Sequence, residues 1–212
     1  MYSLEQMKNP NFKKQFTNEQ WDLVKNYFAV SQGCGKKPMT HEEYLKRVKD
    51  KVEKLDLYNK ALNKIGLDES ELKEIPPIKV VGFVFNNPLA VTGQQNKYTN
   101  LFETTYILFS STQVYIYTYV LDMLSASNKE RSDEYFYKDI VNITTLDESR
   151  EFTSFKVGCI GAATPQKETK QFSQLQIVVP GDKLYCAIDP ESNPDLETQL
   201  KAAKAKIREK KM

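Results

Sequence analysis

Hydrophobic and polar positions along the 212 residues follow two rhythms, and the change comes near residue 77. Before it the spacing is helical. Thr17 with Gln20 forms a capping box, after which Trp21, Val24 and Phe28 fall on one helical face. That helix is expected to end near Val30, because Ser31-Gln32-Gly33-Cys34-Gly35 follows. Thr40 with Glu43 forms a second capping box. From Tyr44 through Val48, Val52, Leu55 and Leu62 to Ile65 the apolar positions keep an approximate 3.6-residue period, and Gly66 suits the C′ position. Asp68 with Glu71 starts a short helix that Pro76-Pro77 terminates.

Beyond Pro77 the residues turn β-branched and aromatic. Ile78 to Asn86 reads as a strand, followed by a polar loop over residues 87–100. Leu101 to Phe109 and Gln113 to Leu121 are the clearest strands, joined by the short Ser110-Ser111-Thr112 link of a hairpin. In the second of them Val114, Ile116 and Val120 share one face, while Tyr115, Tyr117, Tyr119 and Leu121 share the other. A charged loop is expected over residues 125–133, then strands at 135–137, 141–146, 151–160, 172–179 and 183–188. Pro180-Gly181-Asp182 makes the turn between the last two. A closing helix is announced by Asn193 as N-cap, Pro194 at the first position and acidic Asp195 and Glu197 in the first turn. Its apolar stripe is Leu196, Leu200, Ala203 and Ile207. The count is about seven short antiparallel strands and one amphipathic helix, placed to plug an open barrel end. The expected class is mainly β with flanking helices (α+β), with a helical segment over 1–76 and a β-rich domain over 77–212.

This order resembles the PH-like superfold, and bacterial PH and GRAM-like domains in particular. The stretches that carry the resemblance are the hairpin Tyr106–Tyr117, the step Glu134–Ile143, and Leu175–Tyr185 running into the last helix. The resemblance implies a seven-stranded barrel of two near-orthogonal sheets capped by the C-terminal helix. It also implies binding of lipids, peptides or proteins, and no catalysis.

Charge narrows the binding classes. The chain carries 30 basic and 28 acidic residues, a net charge of +2, and residues 79–190 hold ten basic against twelve acidic. A dedicated nucleic-acid binder shows a strong basic excess. In phosphoinositide-binding PH domains, cations gather in the loops at the open barrel end. Lys97, Lys129, Arg131, Lys167 and Lys170 fall in those loops here, mixed with Glu130, Asp133 and Glu168. We take Lys97, Lys129, Arg131 and Lys170 as ligand-binding candidates. The mixture falls short of the dense cluster that a multiply charged phosphate requires.

Catalytic chemistry finds few residues to work with. His41 is the single histidine and sits in the first turn of a helix, where exposure is expected. One histidine provides neither a metal cluster nor a Ser-His-Asp triad. Cys34, Cys159 and Cys186 are far apart and odd in number, which suits reduced thiols rather than disulfides or zinc. Gly158-Cys159-Ile160-Gly161 lacks the GK[ST] of a phosphate loop. Met1 to Pro10 is polar and charged with no apolar h-region, and no apolar stretch approaches the length of a membrane span, so a cytoplasmic location is expected. The stripe Tyr115, Tyr117 and Tyr119 is either covered by the N-terminal helices or exposed for a protein partner. The sequence therefore points to a non-catalytic module without cofactor or metal that recognises a protein or peptide. Weak contact with an anionic membrane surface is the alternative, and an enzyme using loop carboxylates the second.

Overall fold

The computed structural model describes residues 1–29, 38–72, 74–87, 89–157 and 163–211. Among these residues five α-helices come first: α1 (Leu4–Lys8), α2 (Pro10–Lys13), α3 (Asn18–Asn26), α4 (His41–Glu53) and α5 (Leu57–Ile65). The capping boxes at Thr17/Gln20 and Thr40/Glu43 form as the sequence predicts, and a further one at Ser3/Gln6 starts α1. The long periodic stretch from Tyr44 to Ile65 is two helices rather than one. Asp56 takes a left-handed conformation (φ 46°) and turns the chain between them. Aspartate tolerates that region better than most residues. Gly66 ends α5 in the same region. The predicted end of the first helix at Val30 and the Ser31–Gly35 breaker lie outside the described residues.

Among the described residues seven strands follow: β1 (Ile78–Phe83), β2 (Leu101–Phe109), β3 (Gln113–Asp122), β4 (Lys129–Phe136), β5 (Asn142–Val157), β6 (Ala163–Val179) and β7 (Asp182–Ile188). Helix α6 (Leu196–Lys211) closes the order. The strands form two antiparallel sheets, β1-β2-β3-β4 and β5-β6-β7. The class is mixed α+β with a C-terminal helix; among the described residues no ladder joins the sheets into a closed barrel. Several strand boundaries differ from expectation, β1 for one ending at Phe83 rather than Asn86. The charged stretch read as a loop over 125–133 mostly belongs to β4, an edge strand in which Lys129, Glu130, Arg131 and Ser132 are exposed. The predicted strands at 141–146 and 151–160 fuse into β5, and β6 starts at Ala163 rather than Phe172. Cross-strand pairing along one hairpin overrides the polar interruption at Asp147–Arg150.

The sheets sandwich one core and carry another. Alternation in β3 sends Val114 and Ile116 inward, where they join Ile78, Ile107, Ile177 and Leu184. The α6 stripe Leu196, Leu200, Ala203 and Ile207 buries itself in this cluster. The opposite face of the first sheet is covered by the N-terminal helices. Leu23, Val24, Tyr44, Val48 and Leu62 pack there against Phe102, Leu108, Tyr117 and Leu121.

Strand β7 crosses the inner side of the first sheet. Near its start Asp182 lies 3.5 Å from Arg131 of β4. Near its end the Ala187 N–H donates to Glu103 Oε1 of β2 (2.8 Å). Just past its end the Asp189 N–H donates to the Val81 carbonyl of β1 (2.8 Å). Asn193 completes this seam and corrects a sequence expectation. Its side chain does not cap α6, which begins at Leu196. Instead its Oδ1 accepts from the Val81 N–H (3.0 Å), and its Nδ2 donates to the carbonyls of Val81 (2.7 Å) and Asp189 (2.6 Å). One amide thus does the work of a neighbouring strand at the edge of β1. Asn193→Ala is expected to lose about 2 kcal/mol or more, since part-buried backbone groups are left without partners. Urea unfolding measures this, and Asn193→Asp, which sets a carboxylate oxygen against the Val81 and Asp189 carbonyls, should lose at least as much.

Candidate functional site

Two concave surfaces lie on either side of β7. The larger is a cleft of about 640 Å³ between the β1/β7 seam and the β5–β6 hairpin. Its aromatic walls are Phe83, Phe85, Tyr98 and Phe172, with Ile188 at the seam. Tyr98 stacks on Phe83 with centroids 4.4 Å apart, and Phe85 lies 6.2 Å from Phe172 and 5.9 Å from Phe152. Each outer ring carries one of the chain's own cations. Lys170 Nζ is 3.9 Å from the Phe85 centroid, Lys97 Nζ 5.3 Å from Tyr98, and the Arg150 guanidinium 5.0 Å from Phe172.

Lys170 anchors the hairpin here. Its ammonium donates to the carbonyls of Asn96 (2.7 Å) and Lys97. Those carbonyls belong to a tight turn, in which Gln95 and Asn96 are left-handed (φ 54° and 50°). Burial pushes the Lys170 amine down to about 8, with the charge of Lys97 adding to the shift. Against these cations stand Asp147, Asp189 and Glu191 on the same cleft. Asp147 accepts from Ser173 Oγ, and Asp189 accepts from Ser192 Oγ at 2.6 Å.

The smaller groove, about 360 Å³, lies between the inner face of β2–β4 and the start of β7. Its floor is Glu103, Ile116, Thr118 and Val120, and its rim holds Lys129, Arg131, Lys183 and Tyr185. Glu103 is only 9% exposed, and burial pushes its carboxyl up to about 7, against the pull of the Ala187 N–H and Thr105. Cys186 is buried alongside, and burial raises its thiol far above the usual range.

The four candidate cations therefore divide. Lys97 and Lys170 share the cleft, while Lys129 and Arg131 rim the groove, where Asp133 (2.7 Å) and Asp182 engage the Arg131 guanidinium. Lys167 pairs with Glu151 on the hairpin (3.2 Å). The tyrosine stripe is covered: Tyr115, Tyr117 and Tyr119 are at most 8% exposed. Tyr117 donates to Glu130 (2.9 Å), and Lys60 of α5 sits over Tyr119. A partner reaches these rings only if the helices leave. His41 corrects its expected exposure. It is half-buried, with Nδ1 2.9 Å from the Tyr27 hydroxyl and its ring edge-on to Tyr98, and burial lowers its pKa. Cys34, Cys159 and the Gly158–Gly161 stretch lie outside the described residues.

Sequence reasoning did not find Phe85, Phe172, Asp147, Asp189 or Glu103. Glu103 alone left a signal, a single acid within the apolar run Leu101–Phe109. Among the described residues no group of three or more His, Cys, Asp or Glu is placed to hold a metal. None of the described helices is long and apolar enough to cross a membrane. No family model, curated protein or solved structure matches this chain.

Proposed function

We propose that the chain is a non-catalytic binding module on a PH-like scaffold, and that it recognises a protein or peptide segment in the cleft beside the β5–β6 hairpin. The supporting architecture is the four-plus-three division of the strands, with β7 crossing the first sheet and α6 filling the apolar end. The observation that carries the functional reading is the character of the cleft. Aromatic walls with charges of both signs suit a side-chain-bearing peptide, which presents apolar and polar groups along one strand. They suit a multiply charged phosphate poorly. Lys170 is engaged by two carbonyls, and Asp147, Asp189 and Glu191 oppose any anion entering the site. An anionic membrane surface meets the same obstacle, because the candidate cations face two different openings.

The enzyme reading has one observation in its favour, the gathering of Asp147, Asp189 and Glu191 on one concave surface. A single set of experiments separates the readings. Peptides selected by display against the purified chain are expected to bind Phe172→Ala and Lys97→Glu about tenfold more weakly than the wild type, as loss of an interface anchor does. Selected peptides that ignore both substitutions would sink the cleft. Flotation with anionic liposomes at low salt, where attraction is strongest, tests the membrane reading. Turnover abolished by Asp189→Asn would establish the enzyme.

A further inference from the structure

Strands β5 and β6 outrun the sheet they belong to. Strand β7 pairs with β6 only from Ser173 to Val179, so the ladder from Glu148↔Phe172 to Val157↔Ala163 is a two-stranded ribbon. Such a ribbon is marginal in water without further contacts. Phe85 and the turn at Gln94–Asn96 support one of its faces. Its outer edge is different. Among the described strands β5 pairs with β6 alone, and Thr145, Asp147, Ser149, Arg150, Glu151 and Thr153 are exposed. An unpaired strand edge of this length is a template for another strand.

We propose that the outer edge of β5 pairs antiparallel with the same edge of a second copy of this chain, about a two-fold axis at Ser149. Symmetry restricts the choice. A two-fold axis that extends an antiparallel sheet leaves every side chain on its own face, so one residue must oppose its own copy on the axis. With Asp147, Glu148, Arg150 or Glu151 at that position, a charge meets itself. With Ser149 there, Glu148 faces Arg150 of the second copy and Arg150 faces Glu148, so the pair forms twice. One step further out Leu146 faces Phe152, and Thr145 faces Thr153, on the ladder register of β5. One contact opposes the arrangement and also forms twice: Asp147 meets Glu151. Each of those carboxylates already has its own donor, Ser173 Oγ and Lys167 Nζ respectively. Charged edges commonly guard against pairing. Here the two charges nearest the axis, Glu148 and Arg150, are opposite in sign; they pair within each chain at 2.9 Å, and across the axis the two pairs lie side by side.

Sedimentation velocity of the full chain across micromolar concentrations tests this. A reversible monomer–dimer equilibrium is expected. Because each contact counts twice, Glu148→Arg or Arg150→Glu should weaken association about tenfold. The double variant Glu148→Arg/Arg150→Glu restores opposite charges across the axis and should dimerise as the wild type does. A wild type that stays monomeric overturns the proposal, as does a dimer indifferent to the single reversals. So does a double variant that melts like the wild type but remains monomeric.

Discussion

Gly82→Ala is expected to be among the most damaging single-methyl additions to this protein. A Cβ at residue 82 would stand 2.6 Å from the Ala187 carbonyl carbon and oxygen and 2.7 Å from the Ile188 nitrogen. All three are backbone atoms, so no rotamer change relieves the contact. Neither strand can retreat easily. Gly82 pairs with Glu103 on one side, while the Asp189 N–H and the Asn193 amide tie the neighbouring Val81 to the end of β7. The seam must open, which separates β1 from β7. The expected cost is about 3 kcal/mol or more. In a chain of this size that lowers the melting temperature by roughly 10 °C. A variant that melts within about 2 °C of the wild type would mean that β7 does not cross β1 there.

Glu103→Gln is expected to change how stability depends on pH. The Glu103 carboxyl is raised from 4.5 to about 7 by burial, so the folded chain holds this proton more tightly than the unfolded chain does. Its contribution is fully present below the unfolded value and is lost as pH rises through about 7. Integrated over that interval the wild type loses about 3 kcal/mol, an upper figure, because Lys129, Arg131 and Lys183 rim the same groove and favour the charge. Glutamine keeps an oxygen for the Ala187 N–H and carries no charge. Its stability should be flat over the same interval from this group, and the variant should exceed the wild type at about pH 8. Urea unfolding from about pH 5 to 8 reads this directly, and parallel profiles for the two proteins would show that the carboxyl ionises in the folded state at little cost.

Much of the frame was legible in the chain. The capping boxes, the left-handed Gly66, the alternation of β3 and the stripe of α6 are local signals with local causes, and each is where its residues placed it. What was not legible depends on partners distant in sequence. Asn193 reads as a cap because caps are local, yet its amide is drawn to Val81, 112 residues earlier. The charged stretch Lys129–Asp133 reads as a loop because polarity without alternation gives no period, but pairing with β3 makes it a strand. The cleft was half visible. Lys97 and Lys170 stand out in the sequence by their charge, whereas the rings beneath them and the carboxylates opposite come together only when the hairpin folds over the seam. Nothing in the sequence separates Lys129 and Arg131 from that pair, because the separation is made by β7 crossing between them.

The order of the chain sets a demand on its synthesis. Helices α3, α4 and α5 leave the ribosome before the strands they cover, with Leu23, Val24, Tyr44, Val48 and Leu62 destined for contact with residues from Tyr98 to Leu124. At a translation rate of roughly 5–20 residues per second, their apolar faces wait several seconds for a partner. During that interval the helices have only one another and whatever chaperones are at hand. The same waiting period governs any shortened form. A fragment that stops before β3 carries helices with nothing to sit on, and one that starts after α5 carries a bare tyrosine-lined sheet.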